Sequence, residues 1–224
     1  MRSRLKTPVY LMPGMAASPK IFEFIRLPEK FELIPLSWMP PLAGETLSHY
    51  ALRMSKRISD PNPVLLGVSF GGILVQEIAK HIPVHKVIVV SSAKSNKELS
   101  NSMKIAKTTG AHKLLPTQWI KNLESLCLFV FGPSIKSKVE AYQKYLSERD
   151  PAYLDWSINA IVNWDQSEPD SDIIHIHGDK DSVFPIKNID KRVNFYSIEN
   201  ATHAMILTHH KWFNKNLPNI ITNH

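Results

Sequence analysis

Three short stretches carry side chains that could together attack a carbonyl carbon. The first is Gly67-Val68-Ser69-Phe70-Gly71-Gly72. A serine hydroxyl is a weak nucleophile at neutral pH and needs a neighbouring base to take its proton. The third stretch, Asn200-Ala201-Thr202-His203-Ala204-Met205, offers an imidazole for that task. An imidazole in turn needs a carboxylate to fix its tautomer and to stabilise it once protonated. The second stretch, His177-Gly178-Asp179-Lys180-Asp181 with Pro185 beyond it, supplies two carboxylates. Asp181 is the expected acid, with Asp179 open as the alternative, because a carboxylate beside Gly178 could instead tie down the loop. Ser69, Asp181 and His203 follow one another in the order of one known arrangement of nucleophile, acid and base. His209 and His210 are rivals for the base but sit in the polar segment Thr208 to Asn216. His175 and His177 share a strand face and could be taken for a metal pair. No third ligand of suitable spacing accompanies them, so no metal is predicted, and attack by an activated serine requires no cofactor.

Attack on a carbonyl builds negative charge on its oxygen, and two backbone N–H donors aimed at that oxygen stabilise it. The residue after the nucleophile, Phe70, is expected to supply one. Met15, in Met12-Pro13-Gly14-Met15-Ala16, is expected to supply the other, since Gly14 lets backbone come near. The plainer reading of Pro13-Gly14 is a turn that ends a strand.

These groups work only if a scaffold holds them at one edge. Short runs rich in branched apolar residues recur at Val9–Met12, Phe31–Trp38, Val64–Val68, Lys86–Val90, Ile173–Ile176 and Val193–Ile198, and they read as strands. Most are apolar at consecutive positions, as in parallel strands covered on both faces. Helical spacing lies between them, with Leu47, Tyr50, Ala51, Met54 and Ile58 on one face and Leu74, Val75 and Ile78 on another. A helix is expected from about Gly72 to Lys80, which puts Ser69 on a strand-to-helix turn. Alternating strand and helix predict an α/β protein with a doubly wound, mostly parallel sheet.

Over residues 94–168 the alternation stops. Helical stripes run through Trp119, Ile120, Leu123, Leu126, Cys127 and Val130, and through Ile135, Val139, Tyr142 and Leu146. A third begins at Asp150-Pro151, a suitable N-cap and first helical residue, and carries Leu154, Ile158, Ile161 and Val162. This segment is expected to be a helical cap or lid on a core made of residues 1–93 and 169–224. The alternative is that its helices extend the core. Trp119, Trp156 and Trp164 are candidates for lining a substrate pocket, although helical aromatics more often pack in a core.

The chain has 224 residues, 43% of them hydrophobic, enough for one domain with a modest insertion. Its formal charge of +7 comes from Lys and Arg scattered among acids, which predicts a solvated basic surface and no nucleic-acid partner. Cys127, the single cysteine, excludes an internal disulfide and suits a reducing compartment. The apolar run after the basic Met1-Arg2-Ser3-Arg4 ends at Pro13-Gly14, too short for a signal peptide, and no run reaches the roughly 20 apolar residues of a membrane span. A soluble cytoplasmic protein is expected. The oligomeric state leaves no readable trace.

With these motifs in place the chain resembles the α/β-hydrolase superfamily, in particular its small serine esterase and lipase-like members. Gly67-Val68-Ser69-Phe70-Gly71-Gly72 is similar to that family's nucleophile elbow. His177-Gly178-Asp179-Lys180-Asp181 is similar to its acid loop, in which the second aspartate is the usual triad member, implying Asp181. Pro13-Gly14 stands where the family often has His-Gly, and Thr202 where it often has glycine. Val9–Met12 looks like the family's third strand, with the first two missing. The resemblance implies hydrolysis of a small carboxylic ester through an acyl-serine. A thioesterase, amidase or carbon–carbon bond hydrolase would use the same groups. A non-catalytic ligand binder on the same scaffold is the reading from a different class.

Overall fold

The computed structural model describes residues 6–110, 143–192 and 194–223. Six strands form one sheet: β1 (Thr7–Met12), β2 (Phe31–Pro35), β3 (Val64–Val68), β4 (Lys86–Val90), β5 (Ile174–Gly178) and β6 (Phe195–Ile198). Their spatial order is β2-β1-β3-β4-β5-β6, and every neighbouring pair is parallel. Each predicted strand is present. The unbroken apolar runs have the expected cause, because all five residues of β3 and of β5 are buried. Leu65, Leu66 and Ile88 are fully enclosed, each worth about 1.5–3 kcal/mol relative to exposure.

The expected strand Phe31–Trp38 ends earlier, at Pro35. There β1 also nears its end, with Leu11 beside Pro35. One further bond, Leu36 N–H to the Leu11 carbonyl at 2.9 Å, carries the chain past the ladder towards Trp38.

The helix α1 (Leu47–Ser55) is capped by Thr46, and α2 (Phe70–Ala79) starts directly after Ser69, two residues before the expected position. These two helices pack against each other. In the segment from 94 to 168, the described residues hold α3 (Asn101–Thr109) and α4 (Pro151–Asn163) and no strand. Asp150 caps α4 as expected, accepting from the Tyr153 N–H at 2.9 Å. The predicted stripe through residues 119–130, with Trp119 and Cys127, lies outside the described residues, as does most of the stripe ending at Leu146. No helix among the described residues is long and apolar enough to cross a membrane.

The strand order reverses between β1 and β3, since β2 lies on one side of this pair and β4 to β6 on the other. At such a point the loops leaving the carboxyl ends of two adjacent strands diverge and open a crevice. The loop after β1 carries Gly14 and Met15, and the turn after β3 carries Ser69.

Candidate active site

Ser69 occupies a backbone conformation that L-residues avoid, with φ 55° and ψ −123°. Such a residue costs of order 1–3 kcal/mol and persists only when its surroundings over-determine it. Here they do. The Ser69 N–H donates to the Val90 carbonyl at 2.9 Å, and the Ser69 carbonyl accepts from the Gly72 N–H at 2.8 Å and the Ser92 hydroxyl at 2.7 Å. The flanking glycines make this fit possible. A Cβ on Gly67 would stand 2.2 Å from the Gly71 carbonyl oxygen, and one on Gly71 would stand 2.4 Å from that of Pro13.

The loop after β1 also packs against this turn. A Cβ on Gly14 would lie 3.2 Å from Cβ of Ser69. The Gly14 carbonyl accepts from the Ala17 N–H at 3.1 Å and from the Trp38 indole N–H at 3.0 Å. Neither the Met15 nor the Phe70 N–H donates to any acceptor among the described residues. Phe70 opens the first turn of α2 directly after Ser69, and Met15 lines the same cavity as Ser69, so both are amides without an acceptor close to Ser69 in chain or in cavity.

Asp181 is buried on the loop after β5. Its Oδ1 accepts from the Val183 and Phe184 N–H groups, each at 2.9 Å, and its Oδ2 lies 2.9 Å from His203 Nδ1. Burial pushes this carboxyl up, but His203 and His177 beside it and the backbone donor of Phe184 outweigh burial and hold it below the ordinary range. An ionised carboxylate only accepts, so His203 Nδ1 carries the proton and Nε2 is left as acceptor. Ser69 Oγ lies 2.9 Å from Nε2 and donates to it. Asp181, and not Asp179, is therefore the carboxylate bonded to this imidazole. Gly178 brings the two loops together, since a Cβ there would stand 2.2 Å from the Ala201 carbonyl oxygen. His209 and His210 lie apart from this group, bonded to Thr208 Oγ1 and the Leu207 carbonyl.

His175 and His177 form a second, fully buried pair. His177 Nε2 lies 2.8 Å from the Phe184 carbonyl and must donate to it, leaving Nδ1 to accept from His175 Nε2 at 2.9 Å. Burial depresses both imidazoles below the ordinary histidine range, His175 strongly, and for His177 burial outweighs the opposing pull of Asp181. The pair thus stands neutral behind the loop that holds Asp181, with its facing nitrogens turned to each other.

A cavity of about 40 Å³ opens beside Ser69 and His203. It is lined by Met15, Ala17, Ile21, Leu146, Ile206 and Leu207 among others, and among the described residues no Asp, Glu, Lys or Arg lines it. Trp156 and Trp164 do not reach it. The Trp164 indole donates to buried Glu77 at 2.9 Å, and that of Trp156 donates to the Glu45 carbonyl at 2.8 Å, so both are held by polar partners elsewhere. A larger, open depression of about 400 Å³ lies near Lys6, His85 and Thr222, at the amino-terminal edge of the sheet, far from these groups.

Sequence reasoning passed over Trp38 and Ser92, both of which touch the loops around the hydroxyl. Trp38 reads as the tail of an apolar strand, and Ser92 as an ordinary loop residue. No spacing rule marks either, because each is brought in by strand register.

No family model matches the chain, and no curated protein matches it in sequence. Solved structures do. A thermophilic esterase from Thermogutta terrifontis superposes with a TM-score of 0.70 at 15% identity, over 97% of this chain and 92% of that one. A hydrolase from Pseudomonas aeruginosa PA01 gives 0.73 at 15%, over 97% and 90%. A bromoperoxidase from Bacillus anthracis gives 0.67 at 17%, over 97% and 92%. Identities this low speak for architecture alone. The architecture is the α/β-hydrolase fold.

Proposed function

We propose that the protein is a serine hydrolase that cleaves a small carboxylic ester through an acyl-serine intermediate. The observation that carries this reading is the unbroken run Ser69 Oγ, His203 Nε2, His203 Nδ1 and Asp181 Oδ2, with both contacts at 2.9 Å. In the first half-reaction Ser69 Oγ bonds to the ester carbonyl carbon while its proton passes to His203 Nε2. Asp181 stabilises the resulting imidazolium. The Met15 and Phe70 N–H groups hold the oxyanion of the tetrahedral intermediate. On collapse the bond from carbonyl carbon to leaving oxygen breaks, and His203 returns the proton to that oxygen, releasing an alcohol. A water then repeats the sequence on the acyl-serine, giving up its proton to His203, and the acid departs as Ser69 regains its hydrogen.

The small apolar cavity favours a short uncharged acyl group, since about 40 Å³ leaves room for roughly three groups the size of a water molecule. Residues 94–168 are proposed to serve as a cap on the core of residues 1–93 and 169–224. In support, Tyr153 of α4 lies 5.2 Å from Trp38 and Trp156 lies 5.8 Å from Phe70, between ring centres, so α4 packs near the nucleophile turn.

The test is a panel of p-nitrophenyl esters of increasing acyl length, with thioester and anilide counterparts. Acetate and propionate esters are expected to turn over fastest, and Ser69→Ala to lower kcat by about 10⁴-fold or more. A fluorophosphonate should label Ser69 in the unmodified chain. Equal turnover by the variant, or no label at Ser69 in active protein, overturns the reading.

A further inference from the structure

We propose that Trp38 is the positioning residue of the oxyanion site, aligning both of its donors from one side chain. The proposal rests on the reading of Ser69 as the nucleophile. A trans peptide is planar, with its C=O and N–H pointing in opposite directions. The Gly14 carbonyl and the Met15 N–H belong to one such peptide. The Trp38 indole N–H holds that carbonyl at 3.0 Å, and the Ala17 N–H holds it at 3.1 Å. Fixing the oxygen fixes the plane, and the Met15 N–H is thereby turned to the side away from the indole. Gly14 packs against Ser69, and Gly14, Met15 and Ser69 line one cavity, into which that N–H is proposed to point. The indole also stacks on the ring of Phe70, with 5.0 Å between centres and 10° between planes. Phe70 carries the second N–H, so one ring is bonded to the peptide of the first donor and packed on the residue of the other.

A buried tryptophan usually finds a partner for its N–H, so the bond alone would suit a core residue. Its place distinguishes it. Trp38 lies past the end of β2, beyond the ladder, and is delivered to Gly14 only because β2 runs parallel to β1 in the register Leu11 to Pro35. The Gly14 carbonyl already has the Ala17 amide for satisfaction, so the indole adds orientation to a group that did not need a partner.

Trp38→Phe keeps a ring against Phe70 and Tyr153 but removes the N–H. Losing a whole oxyanion donor costs about 10²–10³ in kcat, and loosening one should cost less. The expected result is a fall of about tenfold to a hundredfold in kcat with KM within about threefold, matched by weaker inhibition by a small alkylboronic acid, whose tetrahedral adduct at Ser69 presents an oxygen to the same donors. Equal changes in kcat and KM, or unchanged boronate affinity, overturn the proposal. A measurement on the unmodified chain covers the case in which Trp38→Phe does not fold. When the Met15 N–H binds the boronate oxygen, the same peptide's carbonyl becomes a stronger acceptor, so the assigned Trp38 indole N–H resonance should move downfield on adduct formation. A resonance that stays in place also overturns it. If neither fluorophosphonate nor boronate reacts at Ser69, the nucleophile reading itself fails. If both react and Trp38→Phe merely lowers Tm, only the role of Trp38 fails.

Discussion

Ser69, His203 and Asp181 occupy positions in which each defines the protonation of the next. The ionised carboxylate places the proton on His203 Nδ1, and that proton leaves Nε2 free to accept from the hydroxyl. Asp181→Asn keeps the size of the side chain but turns an acceptor into a group that can also donate, which allows the wrong imidazole tautomer. The expected outcome is a loss of about 10³–10⁴ in kcat with KM little changed, read from steady-state kinetics on a short acyl ester. Thermal melting of the same variant should stay cooperative, because the Val183 and Phe184 amides that Oδ1 accepts from can still bond the amide oxygen. Preserved kcat in a folded variant would remove Asp181 from the mechanism.

Glycines set the distances between elements. Gly71, in the first turn of α2, lets the loop after β1 lie against the turn that carries Ser69, and a Cβ there would meet the Pro13 and Met12 carbonyl oxygens at 2.4 and 2.5 Å. Backbone oxygens at both contacts leave no flexible side chain to give way. Gly71→Ala is therefore expected to destabilise by about 1–3 kcal/mol and to abolish turnover by pushing Met15 away from Ser69. Calorimetry and an ester assay check the two effects separately. This close packing explains why the elements were readable from the chain while some of the contacts were not. The unbroken apolar runs revealed β3 and β4, and the Asp150-Pro151 pair revealed the start of α4, because each is a local preference expressed in consecutive residues. That Ser69, Asp181 and His203 come together could be anticipated for the same reason, as each sits in a short patterned loop. Trp38 was not, because its role follows from the alignment of β2 with β1, which no local pattern encodes. Trp156 and Trp164 misled for the converse reason. Aromatic spacing along α4 and at its C-cap signals burial but does not say that the Glu45 carbonyl and the Glu77 side chain accept from the indole N–H groups.

At the scale of the whole molecule, the buried imidazoles tie stability to pH. His175 and His177 have pKa values below the ordinary histidine value of about 6.5, whereas the unfolded chain regains that value. Between the depressed values and about 6.5 the unfolded state binds more protons, so stability rises with pH across that window and falls as acid is added. Asp181, also depressed, acts lower down. Its contribution is complete above about 3.9 and is lost as pH falls through its folded value. Melting temperature should thus begin to drop below about pH 6.5, before Asp181 protonates. In His175→Gln that early decline should be shallower when melts are compared from pH 7.5 to 4.5. An unchanged slope would show that the buried pair does not govern it.

The backbone at Ser69 also sets a direction for change over generations. Its φ of 55° suits a residue without a side chain, so glycine there would relieve strain that serine sustains. A lineage selected only for a stable fold would drift towards losing its hydroxyl, gaining robustness with each copy that gave up chemistry. The three hydrogen bonds at residue 69 use only its backbone N–H and carbonyl and would serve glycine equally, so under the proposed chemistry the hydroxyl alone opposes the drift, and turnover and durability make opposite demands on a single codon.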